Sequence, residues 1–147
     1  MIHVAYIGFG VSAREYHIPY VEKRDDVQVK YVFRREEDIA QFAEYEPFYP
    51  EITFTTDLND VLCDPEVDLV AVNAPDRFRV PYAKQILNAG KHALVEKPFA
   101  PTAVSLCLRC STTPERKKWW AVTRSAPNPR RRTAGGRWFI MMRRAER

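Results

Sequence analysis

The sequence predicts an α/β fold, a parallel sheet wound on both faces with helices. Three observations lead there. Short apolar runs rich in β-formers alternate with helical patterns through residues 1–98. The first run, Val4 to Ile7, opens directly into a glycine-rich turn at the start of a helical pattern. The most apolar run, Val67 to Val72, is the best candidate for a central parallel strand.

The elements follow in order. Ser12 to Lys23 reads as the first helix, with Tyr16, Ile18 and Val21 facing inward and Pro19 shortening or kinking it. Val27, Val29, Tyr31 and Phe33 alternate with polar residues and give the second strand. Glu36 to Glu44 is a helix carrying Ile39, Phe42 and Ala43, and Tyr45 to Pro50 is a loop with two prolines. Ile52 to Thr55 is a short strand. Thr56 or Asp57 caps a short helix ending near Leu62, and Asp64-Pro65 turns the chain into Val67 to Val72. Asn73 to Asp76 is a loop. Arg77 to Asn88 is a helix with Tyr82, Ala83, Ile86 and Leu87 inward, where Pro81 fits only in a first turn. Gly90 suits the C′ position, and His92 to Glu96 is a strand stopped by Lys97-Pro98. Strand–helix alternation implies right-handed crossovers.

Composition narrows the classes. The 147 residues suffice for a core, and 46% hydrophobic with 29% charged content is ordinary for a globular chain. No run approaches the roughly 18 apolar residues of a membrane span. The start runs straight into a strand with no charged-then-apolar leader, and Cys63, Cys107 and Cys110 give no disulfide framework. A cytoplasmic location is the expectation. Charge is uneven: residues 103–147 hold ten Arg and two Lys against two Glu, a net of +10, and residues 1–102 carry −6.

The chemistry starts at the first turn. Gly8, Gly10 and Ala13 fill a G-x-G-x-x-A pattern after a strand and before a helix. Gly8 allows the tight turn, Gly10 lets a pyrophosphate approach the backbone, and Ala13 lets the helix pack on the strand. Open N–H groups and the dipole at that helix start would hold phosphates. The same pattern also serves strand–helix turns that hold no ligand. Arg34, 24 residues after Gly10, stands near the place of a ribose-binding residue, where an arginine can take a 2′-phosphate; the alternative is a solvated charge among Arg35, Glu36, Glu37 and Asp38. Lys97 ends a parallel strand, at the edge where ligands bind. His17 on a helix face reads as structural. Cys107-Leu-Arg-Cys110 has no second pair for zinc and no redox setting, so its spacing reads as coincidence, and no metal site is expected.

Ile7-Gly-Phe-Gly10, Tyr16-His-Ile-Pro19, Asn73-Ala-Pro75 and Val95-Glu-Lys-Pro98 occur in order at suitable spacing. Residues 1–102 thereby resemble the N-terminal domain of the glucose–fructose oxidoreductase/inositol dehydrogenase (Gfo/Idh/MocA) family. The resemblance implies a Rossmann-like doubly wound sheet that binds NAD or NADP, with NADP slightly favoured because of Arg34. It implies hydride transfer to or from a sugar-, cyclitol- or polyol-like carbon. Lys97 would be the catalytic residue, pointing at the nicotinamide and the substrate hydroxyl. Gly8, Phe9, Gly10, Ala13, Arg34, Arg35, Asn73, Ala74, Pro75, Glu96 and Lys97 would contact or support the cofactor. Three departures stand out. Ala74 replaces a frequent Thr, and Arg79 lies where a His is often found. Arg34 replaces a frequent acid. The family's second domain, which carries most substrate contacts and a proton-exchanging residue, is absent, so the sheet is incomplete and the chain is expected to be inactive alone.

Residues 103–147 form an irregular, basic C-terminal tail in this reading, with Trp119 to Thr123 roughly where a sixth strand belongs. The abrupt change near Thr102 predicts a shifted reading frame from about residue 103. The alternatives are a non-catalytic nucleotide-binding module, or a scaffold whose arginine-rich tail holds nucleic acid. An oligomer is compatible with all of these.

Overall fold

The computed structural model describes residues 1–97 together with the strand backbones at Trp119–Arg124 and Trp138–Ile140. In its sheet β1 (Ile2–Ile7) is flanked in parallel by β2 (Val27–Phe33) and β4 (Leu69–Val72). Outside these lie β3 (Thr53–Thr55), parallel to β2, and β5 (His92–Val95), parallel to β4. The full order is β3-β2-β1-β4-β5-β6-β7. β6 (Trp119–Arg124) is parallel to β5, at the place of a sixth strand, and β7 (Trp138–Ile140) is antiparallel to β6. Both strands lie beyond residue 102, within the stretch expected to be a tail. Cys107, Cys110 and Pro98 lie outside the described residues.

Alternation along β1 builds two cores. Ala5 and Ile7 join Val70, Val72, Ala93 and Val95 under the helix α4 (Asp76–Asn88). Val4 and Tyr6 join Val29 and Val32 on the other face, with Ala13, Ile18 and Phe42. Both faces are covered, so the strands are apolar on both sides, and each fully buried aliphatic side chain stabilises the sheet by about 1.5–3 kcal/mol.

The helices depart from the sequence pattern at three places. Before α1 (Ile18–Val21) the chain makes a wide π-helical turn, Ser12–His17. Pro19 cannot donate to Glu15, and the wider turn shifts the helical phase. Tyr16, expected inward, is therefore exposed, while Ala13 and Ile18 are fully buried. The expected helix Glu36 to Glu44 is split. A 3₁₀ turn Glu36–Asp38 leads into α2 (Ile39–Phe42), and a second 3₁₀ segment, Ala43–Phe48, occupies most of the expected loop. Pro81 lies inside α4, beyond its first turn, with Val80, Ala83, Ile86 and Leu87 buried around it. Their burial offsets the lost hydrogen bond.

Two helix ends follow the sequence closely. Asp57 caps α3 (Leu58–Leu62) by accepting the Asn59 N–H at 2.8 Å. Gly90, at φ +82°, closes α4: its N–H bonds the Leu87 carbonyl and the Lys91 N–H bonds the Ile86 carbonyl, both at 3.1 Å. These two bonds are the Schellman pattern, which a left-handed glycine makes accessible.

Candidate functional site

The carboxyl ends of β1, β2 and β4 open onto a cleft of about 420 Å³. Gly8 turns the chain out of β1 at φ +97°, and its N–H donates to the Phe33 carbonyl at 2.9 Å. A Cβ on Gly8 would stand 3.2 Å from the Asn73 carbonyl carbon and 3.3 Å from the Ala74 nitrogen. Glycine is required there twice over, by the backbone angle and by the close approach of the next loop. Gly10 differs: a Cβ there would meet nothing within 4 Å. The space in front of it is open cleft. Ala13 is fully buried beneath the helix start. The first helical bond runs from the Arg14 N–H to the Gly10 carbonyl at 3.1 Å, so the N–H groups ahead of it have no carbonyl a turn earlier. Asn73 donates its Nδ2 to Ser12 Oγ at 3.1 Å, and its Oδ1 is buried without a protein partner. This geometry fits a dinucleotide phosphate: open backbone donors at the helix start and no Cβ at Gly10.

Phe9, expected to contact cofactor, divides its roles. The residue is 1% exposed and its ring packs edge-to-face on Phe42, Tyr49 and Phe54, behind the cleft wall to which Phe9 belongs.

The far wall is β2's end. Arg34 and Arg35 both line the cleft, as do Asn73, Ala74 and Pro75. Arg34 is ion-paired with Glu46 and lies over the Phe54 ring, 5.4 Å from its centroid. Desolvation draws its pKa below the usual arginine value. Arg35 is gripped bidentately by Asp38, at 2.8 and 3.0 Å, pairs also with Glu37, and lies 5.1 Å from the Phe78 centroid. The Asp38 hydrogen bonds raise its pKa. Arg79, standing where the family often has His, bonds the Ala74 carbonyl through Nε at 2.8 Å and so braces the loop.

Register pairs Val72 with Val95, which sets Glu96 and Lys97 beside Asn73 at the same sheet edge. Neither lines the cleft wall itself. Glu96 Oε1 lies 2.7 Å from His17 Nε2, and Oε2 accepts the Lys97 backbone N–H at 3.1 Å. The His17 hydrogen bond holds the Glu96 carboxyl below its ordinary value, against the opposing effect of burial. The Lys97 side chain is exposed.

Sequence reasoning missed Asp38, Glu46 and the Ser12–Asn73 bond. Asp38 could have been found as the i+3 partner of Arg35. Glu46 carries no local signal, since its partner comes from another strand end. Among the described residues no cluster of three His, Cys, Asp or Glu could hold a metal, and no helix is long and apolar enough to cross a membrane.

Comparison with known proteins gives a consistent picture. A family model described as the oxidoreductase family with an NAD-binding Rossmann fold, GFO_IDH_MocA, matches residues 2–119. The uncharacterized oxidoreductase YhhX of Escherichia coli K12 is 48% identical over 103 residues, 69% of this chain and 29% of that protein. The scyllo-inositol 2-dehydrogenase (NADP(+)) IolW of Bacillus subtilis strain 168 is 28% identical over 103 residues, 69% of this chain and 27% of its own length. The crystal structure of a probable oxidoreductase yhhX superposes with a TM-score of 0.64 at 42% identity, covering 75% of this chain and 31% of that one. The chain spans less than a third of the length of these relatives.

Proposed function

The chain belongs to the Gfo/Idh/MocA oxidoreductase family, with its NAD-binding Rossmann fold, and from that premise we propose that the cleft holds a dinucleotide with NADP(H) preferred to NAD(H). The observation that carries this reading is one cleft lined by both the glycine turn and the Arg34–Arg35 pair. The backbone at Gly8 to Gly10 receives the pyrophosphate. Arg34 takes the 2′-phosphate through charge-assisted hydrogen bonds. One relative, 28% identical, bears NADP(+) in its name, which supports the preference.

When bound, the nicotinamide would accept hydride from a carbinol carbon of a sugar-, cyclitol- or polyol-like substrate, or return it to the corresponding carbonyl carbon. Lys97 polarises the substrate oxygen from the sheet edge, and its cation favours developing alkoxide charge. Glu96 holds the Lys97 backbone. Most substrate contacts and the proton acceptor belong to the region that longer relatives carry beyond the matched part. The cytoplasm is its proposed compartment. A shifted frame from about residue 103 is tested by translating the coding DNA in its other frames: a family-like continuation there supports it.

Calorimetric titration of wild type and Arg34→Ala with both cofactors tests the site. The substitution weakens NADPH about tenfold, the value of one charge-assisted hydrogen bond, and leaves NADH nearly unchanged. Equal losses for both, or a clear NADH preference in wild type, defeat the NADP assignment.

A further inference from the structure

Glu46 is assigned no role by the cofactor reading, yet it is the ion-pair partner of the arginine on which that reading turns. It stands on the 3₁₀ segment Ala43–Phe48, on the far side of β2's end. The Arg34 side chain is 10% exposed and that of Glu46 27%, so the pair is only partly screened by water. Phe54 fixes the guanidinium from one face, and the Arg34 backbone N–H is tied to the Thr55 carbonyl at 3.0 Å. Arg34 Nε and Nη1 are buried without a hydrogen-bond partner, so the guanidinium keeps donors to offer, and an anion that reaches it from the cleft meets the Glu46 carboxylate as a like charge. Arg35 is not an equivalent substitute, because Asp38 and Glu37 already hold it. Together Arg34, Arg35, Glu46 and Asp38 carry no net charge, and Glu37 leaves the group one unit negative.

We infer that Glu46 is a specificity-determining residue that competes with the 2′-phosphate of NADP(H) for Arg34. The inference rests on the dinucleotide reading of the cleft. With Glu46 in place, the arginine is held ready for the phosphate but partly neutralised, so discrimination against the unphosphorylated ribose is weakened. A ribose 2′-OH does not displace a carboxylate from a guanidinium, so NAD(H) leaves the pair intact. Glu46 acts through Arg34 and touches the phosphate only as a like charge.

The test uses the full chain and four probes: NADPH, NADH, 2′,5′-ADP and 5′-AMP. Glu46→Gln raises the affinity for NADPH and 2′,5′-ADP about tenfold and leaves NADH and 5′-AMP unchanged. Glu46→Asp, which keeps the charge, restores wild-type selectivity. In the Arg34→Ala background Glu46→Gln has no effect on any probe. Thermal melting of each variant identifies loss of fold, and the Arg34→Ala pair then carries the comparison. Parallel gains for phosphorylated and unphosphorylated probes overturn the inference, and so does a gain that survives removal of Arg34. Wild type that binds NADPH while Glu46→Gln leaves it unaltered sinks the inference alone. Wild type that binds none of the four sinks the dinucleotide reading and this inference with it.

Discussion

The two edges of the sheet treat their charged side chains in opposite ways. At the amino edge the partners are fixed. Lys91, only 8% exposed, donates Nζ to the backbone carbonyls of Asp64 and, at 2.9 Å, Val67. Asp64 in turn accepts from Lys30 at 2.7 Å, from the Tyr31 hydroxyl at 2.9 Å and from the Glu66 N–H at 2.8 Å. At the carboxyl edge Arg34, Arg35 and Glu96 have side-chain partners on short local segments: Glu46 for Arg34, Asp38 for Arg35, His17 for Glu96. A backbone carbonyl leaves its donor only when the loop unfolds, whereas a carboxylate can rotate away. The Lys91 contacts of the amino edge are thereby a clamp, whereas Arg34 and Arg35 at the carboxyl edge have exchangeable partners beside a cleft.

The sharpest way to break that contrast is Lys91→Met. The stem volume stays and two buried carbonyls lose their donor, so unfolding in urea shows a loss of about 3 kcal/mol. Cofactor affinity of the folded protein stays at the wild-type level. A loss under about 1 kcal/mol would mean that the amino edge is no clamp.

The next largest effect belongs to the turn. Gly8→Ala places a side chain at φ +97° and against the Asn73–Ala74 backbone, costing about 2 kcal/mol and weakening dinucleotide binding. Gly10→Ala, with open space around it, serves as the control. It stays within about 0.5 kcal/mol of wild type in stability and still loses dinucleotide affinity. Equal stability losses for the two would contradict the distinction drawn between them.

The smallest effect is the response to acid. Lys30, foremost, holds the Asp64 carboxyl down to about 2. A depressed folded-state value means that this stabilisation is complete above the usual carboxylate range and fades as pH falls through about 2. Asp64→Asn removes about 1 kcal/mol at neutral pH, a value kept low by solvent screening. It also flattens the stability profile between about pH 4 and 2. An unchanged profile in chemical denaturation across that range would dissolve the Asp64 contribution.

Much of this was legible in residue order, and the exceptions have physical causes. β4 and the Val4–Ile7 run of β1 announce themselves because strands covered on both faces are apolar, and β2 does so by alternating Val27, Val29, Tyr31 and Phe33 with polar residues. β4 starts at Leu69 rather than Val67, since the Asp68 N–H turns to the His3 carbonyl and its carboxylate accepts the His3 N–H. Gly8 and Gly90 were readable because only glycine suits their backbone angles. Tyr16 misled because a π turn changes the helical phase without changing composition. The candidate site was half legible. The glycine turn, Arg34 and the Asn73 loop lie together as local motifs suggest. The His17–Glu96 bond joins residues 79 apart, and the Arg34–Glu46 pair depends on a 3₁₀ segment that reads as loop. Such pairings exist only once the sheet has formed.

The position of β1 has a consequence for the chain as it is made. Of the described strands, the first to leave the ribosome takes an interior place, and its second neighbour is far downstream: Val4 pairs with Leu69. A nascent chain ending near Asp64 can join β1 to β2 and β3, but the other edge of β1 stays open, lined by Val4, Ala5, Tyr6 and Ile7. An unpaired apolar edge of that kind is a template for association with another chain. Closing it requires a parallel pairing across some 65 positions, the slow class of contact in sheet assembly. The arrival of β4 therefore ends the period in which this protein is most exposed to aggregation during synthesis.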